Sequence, residues 1–113
     1  MARVAALAPD LFFASKITET LAAAGHEVDV RSTVADVLDA ADDAGLVIVD
    51  LHTEGLDAAQ LAARLGGKPL LGFYSHIDTD ARAQAERAGF HLVVPRSRMA
   101  REMPELVARL VNR

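Results

Sequence analysis

The chain contains no cysteine. That absence excludes disulfides, thiolate zinc sites and cysteine nucleophiles, and it leaves the redox compartment open. Long apolar runs are missing as well: nothing approaches the roughly 20 consecutive apolar residues of a membrane-spanning helix. The opening stretch, Met1 to Asp10, carries one arginine and a short apolar run that ends at Pro9, without the length or cleavage region of a signal peptide. No membrane partner is therefore expected, and a cytoplasmic location is the expectation. Positive charge is in short supply. With 12 Lys and Arg against 16 Asp and Glu, the formal charge is −4, which disfavours nucleic acid as a partner because that affinity comes mainly from cations neutralising phosphates. The C-terminal third gathers Arg96, Arg98, Arg101, Arg109 and Arg113, but Glu102 and Glu105 interleave with them, the pattern of a solvated helix face. Catalytic fingerprints are absent: there is no GxGxxG after the first apolar run, no Walker loop, no nucleophile elbow and no zinc-protease helix motif. Gly66-Gly67 leads into an apolar run instead of out of one, so it reads as a connection and not as a phosphate cradle. The chain is not expected to be an enzyme.

What is present is an alternation. The 113 residues suit one domain, and 51% hydrophobic with 25% charged residues is the composition of a globular protein. No linker, repeat or composition break divides it, so residues 1–113 are expected to form a single domain with no separate output domain. Short apolar runs predict strands at Val4 to Ala8, Glu27 to Arg31, Leu46 to Asp50, Pro69 to Tyr74 and His91 to Val94. Three of these are continuously apolar at their centres, as in parallel strands covered on both faces. Helical spacing appears between them, in Phe13, Ile17 and Leu21, in Val34, Val37 and Leu38, and in Leu61, Ala62 and Leu65. A more polar helix is expected from Asp78 or Thr79 to Ala88, and a last one with Pro104 in its first turn carrying Leu106, Val107 and Leu110. Gly25, Gly45 and Gly89 stand where helices end and a left-handed residue is often required. Strand and helix thus alternate five times. With right-handed crossovers this predicts an α/β fold of three layers, a doubly wound, five-stranded parallel sheet in the order 2-1-3-4-5.

In such a sheet, sites form beyond the carboxyl ends of the strands, near the point where the winding reverses. That rule selects Pro9 and Asp10, Asp50 and His52, Ser75 and His76, and Pro95 and Arg96. On their own these residues have ordinary readings. Asp50 can cap its loop, Asp10 can N-cap the first helix, and Ser75 can be a turn residue. Arg96 can form surface ion pairs as readily as it can bind an anion. His52, His76 and Asp50 would offer imidazole and carboxylate to a zinc ion, but their spacing matches no compact metal motif, and exposed loop histidines are the preferred reading. His26 and His91 read as surface turn residues.

The stretch Leu46-Val-Ile-Val-Asp50-Leu-His-Thr-Glu-Gly55-Leu-Asp57-Ala-Ala-Gln-Leu61 resembles the segment of response regulator receiver domains in which an apolar strand ends in the phosphoacceptor aspartate. Gly25-His-Glu-Val28 resembles the turn from the first helix of that family into its second strand. The resemblance spans essentially the whole chain and implies a flavodoxin-like (CheY-like) fold. It implies that Asp50 is the phosphoacceptor and that a magnesium ion is held by Asp10, Asp50 and the backbone carbonyl of His52. It places Ser75 as the hydroxyl that contacts the phosphoryl group and Arg96 as the stabilising cation. The chemistry is coherent: a carboxylate nucleophile needs a divalent ion and a fixed cation to neutralise phosphoryl oxygens, and magnesium suits oxygen ligands. The family also implies a histidine kinase or other signalling protein as partner, and output or homodimerisation through the face of the fourth helix, fifth strand and fifth helix, Thr79 to Arg113. Departures are concentrated at the same site. Pro9 stands where the family has the first of two acids, Pro95-Arg96 replaces a Lys-Pro pair, His76 replaces a small residue, Leu92 stands at the switch aromatic and Glu54 replaces a common proline. They define a rival expectation, a pseudo-receiver that acts by protein contact or dimerisation without phosphorylation.

Overall fold

The structure is a computed structural model and describes residues 2–75 and 79–112. Strands β1 (Arg3–Leu7), β2 (Glu27–Arg31), β3 (Leu46–Asp50), β4 (Leu70–Tyr74) and β5 (Leu92–Pro95) alternate with helices α1 (Leu11–Ala23), α2 (Val34–Ala41), α3 (Ala58–Leu65), α4 (Thr79–Ala88) and α5 (Arg96–Val111). All neighbours in the sheet are parallel, in the order β2-β1-β3-β4-β5. The doubly wound, flavodoxin-like arrangement expected from the alternation is the one observed. Strand ends differ by a residue: β1 starts and stops one residue early, β4 starts one late, and β5 is displaced forward to include Pro95.

Every strand residue of β3 and β4 is buried, which explains their uninterrupted apolar character. Successive side chains serve two different cores, because strand residues point alternately to opposite faces. Val4, Ala6, Ile48, Leu71 and Phe73 pack against Phe13, Ile17 and Leu21 of α1 and Met99, Met103 and Leu106 of α5. Ala5, Leu7, Val47, Val49 and Tyr74 pack on the other face with Val37 of α2, Leu61 and Leu65 of α3 and Ala85 of α4. Gly72 in β4 serves the second core by its lack of a side chain. A Cβ there would lie 3.0 Å from the Phe90 ring and 3.2 Å from both Leu51 methyls, so the absent side chain is the space those two residues fill.

Helix ends follow local chemistry. Thr33 and Asp57 cap α2 and α3 by accepting from the N–H groups of Asp36 and Gln60. Gly66 closes α3 in the left-handed region at φ 59°. Gly25 and Gly89 have positive φ as expected, while Gly45 does not. The C-terminal end of α2 is held instead by Lys68, whose Nζ donates to the carbonyls of Ala41, Asp42 and Ala44. That contact satisfies carbonyls with no intrahelical partner and sets a cation against the negative end of the helix.

The last helix corrects the sequence reading. It starts at Arg96, not beside Pro104, and continues through a break at Glu102, whose φ of −122° is not helical. Pro104 has no N–H and crowds the preceding turn, so it lies in the first turn of a second helical segment joined to the first across that kink. His26 and His91 are also more than surface turn residues. Each accepts a backbone N–H through Nδ1, His26 from Ala2 and His91 from Leu70, and so ties adjoining segments at the amino end of the sheet.

Candidate functional site

The carboxyl ends of β1, β3, β4 and β5 present Asp10, Asp50, Ser75 and Arg96 on one edge of the sheet. Register explains the grouping. Leu7 is level with Val49, Asp50 with Phe73, and Tyr74 with Pro95. The winding reverses between β1 and β3, so the loops leaving those strands diverge to opposite faces and open the edge between them.

Asp50 is buried, at 9% exposure. Its Oδ1 accepts from the N–H of His52 at 2.9 Å, and its backbone carbonyl accepts from the Thr53 hydroxyl at 2.7 Å. The Thr53 side chain is buried beneath this turn. The loop after β3 is therefore fixed by its own side chains, in the manner of an aspartate-initiated turn. No hydrogen bond among the described residues reaches Asp50 Oδ2. The imidazole of His52 leans across to β4, where Nε2 accepts the N–H of Ser75 at 3.0 Å. Accepting through Nε2 requires that nitrogen to be unprotonated. This side-chain bond between two loops had no counterpart in the sequence reading, which gave His52 its carbonyl as a metal ligand and otherwise took its imidazole for an exposed loop side chain. A histidine two residues after a strand-end aspartate was the available signal.

Asp10 takes up both of the roles that its position allows within the chain itself. Its Oδ1 caps α1, accepting from the N–H groups of Phe12 at 2.9 Å and Phe13 at 3.2 Å. Its Oδ2 receives Arg96 Nη2 at 2.7 Å. The Arg96 hydrogen bond, followed by the Phe13 N–H, holds the Asp10 carboxyl below its ordinary value of 3.8. Arg96 also stacks on Phe13, with its guanidinium carbon 4.4 Å from the ring centre. Phe13 in turn lies 4.8 Å from the Phe73 ring of β4. Arg96, Ser75 and Phe13 line one shallow cleft of about 690 Å³ between α1 and α5, together with Lys16, Pro95 and Ser97.

The structure thus bonds Arg96 to Asp10 and Ser75 to His52, and sets Ser75 and Arg96 in the lining of one cleft. His76, singled out beside Ser75, lies outside the described residues. Magnesium needs carboxylate oxygens that are free to face it in a near-octahedral shell. Here both oxygens of Asp10 are engaged, Oδ2 by a guanidinium that a cation would have to displace, and so is one oxygen of Asp50. The resting donor set does not fit the ion.

No family model matches the chain, and no curated protein does. Solved structures do match it over nearly its whole length. A response regulator receiver protein from Burkholderia phymatum superposes with a TM-score of 0.85 at 19% identity, covering 99% of this chain and 96% of that one. The receiver domain of a sensor histidine kinase from Pseudomonas aeruginosa, with magnesium coordinated in its active-site cleft, gives 0.85 at 12% identity over 99% and 98%. NtrX from Brucella abortus gives 0.86 at 18% identity, and there the chain spans only 27% of the longer protein. The chain has the fold of response regulator receiver domains. At such identities the likeness establishes the architecture, and what the edge does must be argued from its own residues.

Proposed function

We propose that the chain is a receiver-type signalling module of a two-component system that works by protein contact, without phosphorylation of Asp50. One observation carries this reading: the loops around Asp50 are closed on one another, His52 N–H on Asp50 Oδ1 and Ser75 N–H on His52 Nε2. Backbone N–H groups at such a site are the donors that would steady a phosphoryl group. These two are spent within the protein, and Arg96, the cation expected to steady the phosphoryl group, is bound to Asp10. The partner is a histidine kinase or another signalling protein, and the face of α4, β5 and α5 is the surface offered to it or to a second copy. Next to the closed site, Leu11 and Phe12 are 79% and 91% exposed, an apolar pair suited to contact with protein.

A second reading has its own support. Asp50 Oδ2 has no hydrogen-bond partner among the described residues and stands at the end of a rigid central strand, the placement a phosphoacceptor requires. In that reading Asp50 accepts phosphate, Ser75 and Arg96 steady it, and magnesium binds Asp10, Asp50 and the His52 carbonyl. Arg96 would first have to leave Asp10, and His52 would have to release Ser75.

Intact mass after incubation with magnesium and acetyl phosphate separates the two. The contact-only reading expects an unchanged mass from folded protein. A gain of one phosphoryl group that disappears in Asp50→Asn would overturn it and establish the second.

A further inference from the structure

Arg96 and Asp10 are 86 positions apart in sequence, yet each is held by further contacts besides the one between them. Asp10 is fixed by two N–H groups of α1. Arg96 is the first residue of α5, directly after β5, and its guanidinium carbon sits over the buried ring of Phe13, 4.4 Å from its centre. A charge-assisted hydrogen bond of 2.7 Å joins the two.

We propose that Arg96 is a resident cation that takes the place of a divalent metal beside Asp10 and excludes magnesium from this edge of the sheet. The acid of the first loop, one of the carboxylates a metal would use, is already neutralised by a side chain. A hydrated magnesium ion approaching Asp10 would have to displace a guanidinium that is also held by an aromatic face, and it would leave that cation beside its own charge. Pro9, before Asp10, adds no second acid to tip the balance. The same contact joins α1 to α5 through Asp10, Phe13 and Arg96, so the segment opening α5 is held in one arrangement without any ion. The inference rests on the contact-only reading above, since phosphorylation of Asp50 would call for magnesium on Asp10; the magnesium titration tests the cation, and the intact mass tests that reading separately.

The test is metal binding, read from the amide spectrum of isotope-labelled full-length protein titrated with magnesium, against a sodium chloride control of equal ionic strength. In the native protein the amides of Asp10 to Phe13 and Asp50 to Thr53 should move no more than in the control. In Arg96→Gln, which keeps a polar side chain over Phe13 but no charge, magnesium should produce saturable shifts of the same amides, with an apparent affinity greater by about tenfold or more, the scale on which groups next to a metal site alter its affinity. Arg96→Met, tested alongside, should behave likewise if either variant folds less well. Saturable, selective shifts in the native protein would overturn the proposal. So would the same silence in native protein and both folded variants, because something other than Arg96 would then be keeping the metal out.

Discussion

Arg96 Nη2 lies 2.7 Å from Asp10 Oδ2 across 86 positions of sequence, and this contact pairs the acid of the first loop with the cation that opens α5. A paired arginine and aspartate present little net charge to an incoming phosphoryl group or cation. The pair is half-exposed, so its value lies in what it positions more than in its stability alone.

The lowered Asp10 titration has a definite sign. A carboxyl whose folded value lies below its unfolded value of 3.8 adds stability above that value, and the contribution is lost as pH falls from there through the folded value. The stability difference between native protein and Arg96→Gln should therefore be largest near neutral pH and shrink on acidification across that range. Urea unfolding of both proteins over a pH series checks it, and a difference that grows towards acid pH would contradict it.

His52→Ala removes the acceptor of the Ser75 N–H. Hydrogen exchange at Ser75 should accelerate, while amides in β3 and β4 keep their protection, because His52 itself lies at the surface and outside both cores. Exchange measured residue by residue would show the bond to be immaterial if Ser75 were unchanged.

Gly72→Ala puts a methyl group 3.0 Å from the Phe90 ring and 3.2 Å from Leu51. Both neighbours are buried, so the clash has little room for relief and should cost about 1–3 kcal/mol, the usual penalty for overpacking a core. Denaturant unfolding measures it. In the opposite sense, Leu106→Ala leaves a hole between α5 and the sheet and should cost about 2–5 kcal/mol.

Lys68→Met should lower stability by about 1–2 kcal/mol through loss of charge-assisted bonds to the end of α2. The protection of α2 amides should fall more than that of α1. An equal loss in both helices would show a general effect and not the loss of a cap.

Much of the architecture was legible in the sequence because buried parallel strands advertise themselves. Leu46 to Val49 and Leu70 to Phe73 have no polar face to hide their periodicity, and Phe13, Ile17 and Leu21 mark the buried stripe of α1 unambiguously. The start of α5 was not legible. Arg96-Ser-Arg carries neither an apolar stripe nor a side-chain cap, its N-cap being Pro95, and Pro104 marks only the second segment, beyond the kink at Glu102. At the site, position could be read but pairing could not. The rule for strand ends selects Asp10, Asp50, Ser75 and Arg96, yet nothing local says that Arg96 reaches Asp10 or that His52 reaches Ser75. Those contacts depend on sheet order and on side-chain placement, such as that of Arg96 over Phe13, which only the folded chain determines.

Beryllofluoride mimics an aspartyl phosphate without requiring a donor, so the amide spectrum of the labelled protein with magnesium and beryllofluoride tests the closed site most directly. The account predicts no selective change at Asp50 to Thr53, Ser75 or Arg96 beyond a salt control. A second set of resonances at those residues, absent in Asp50→Asn, would contradict it.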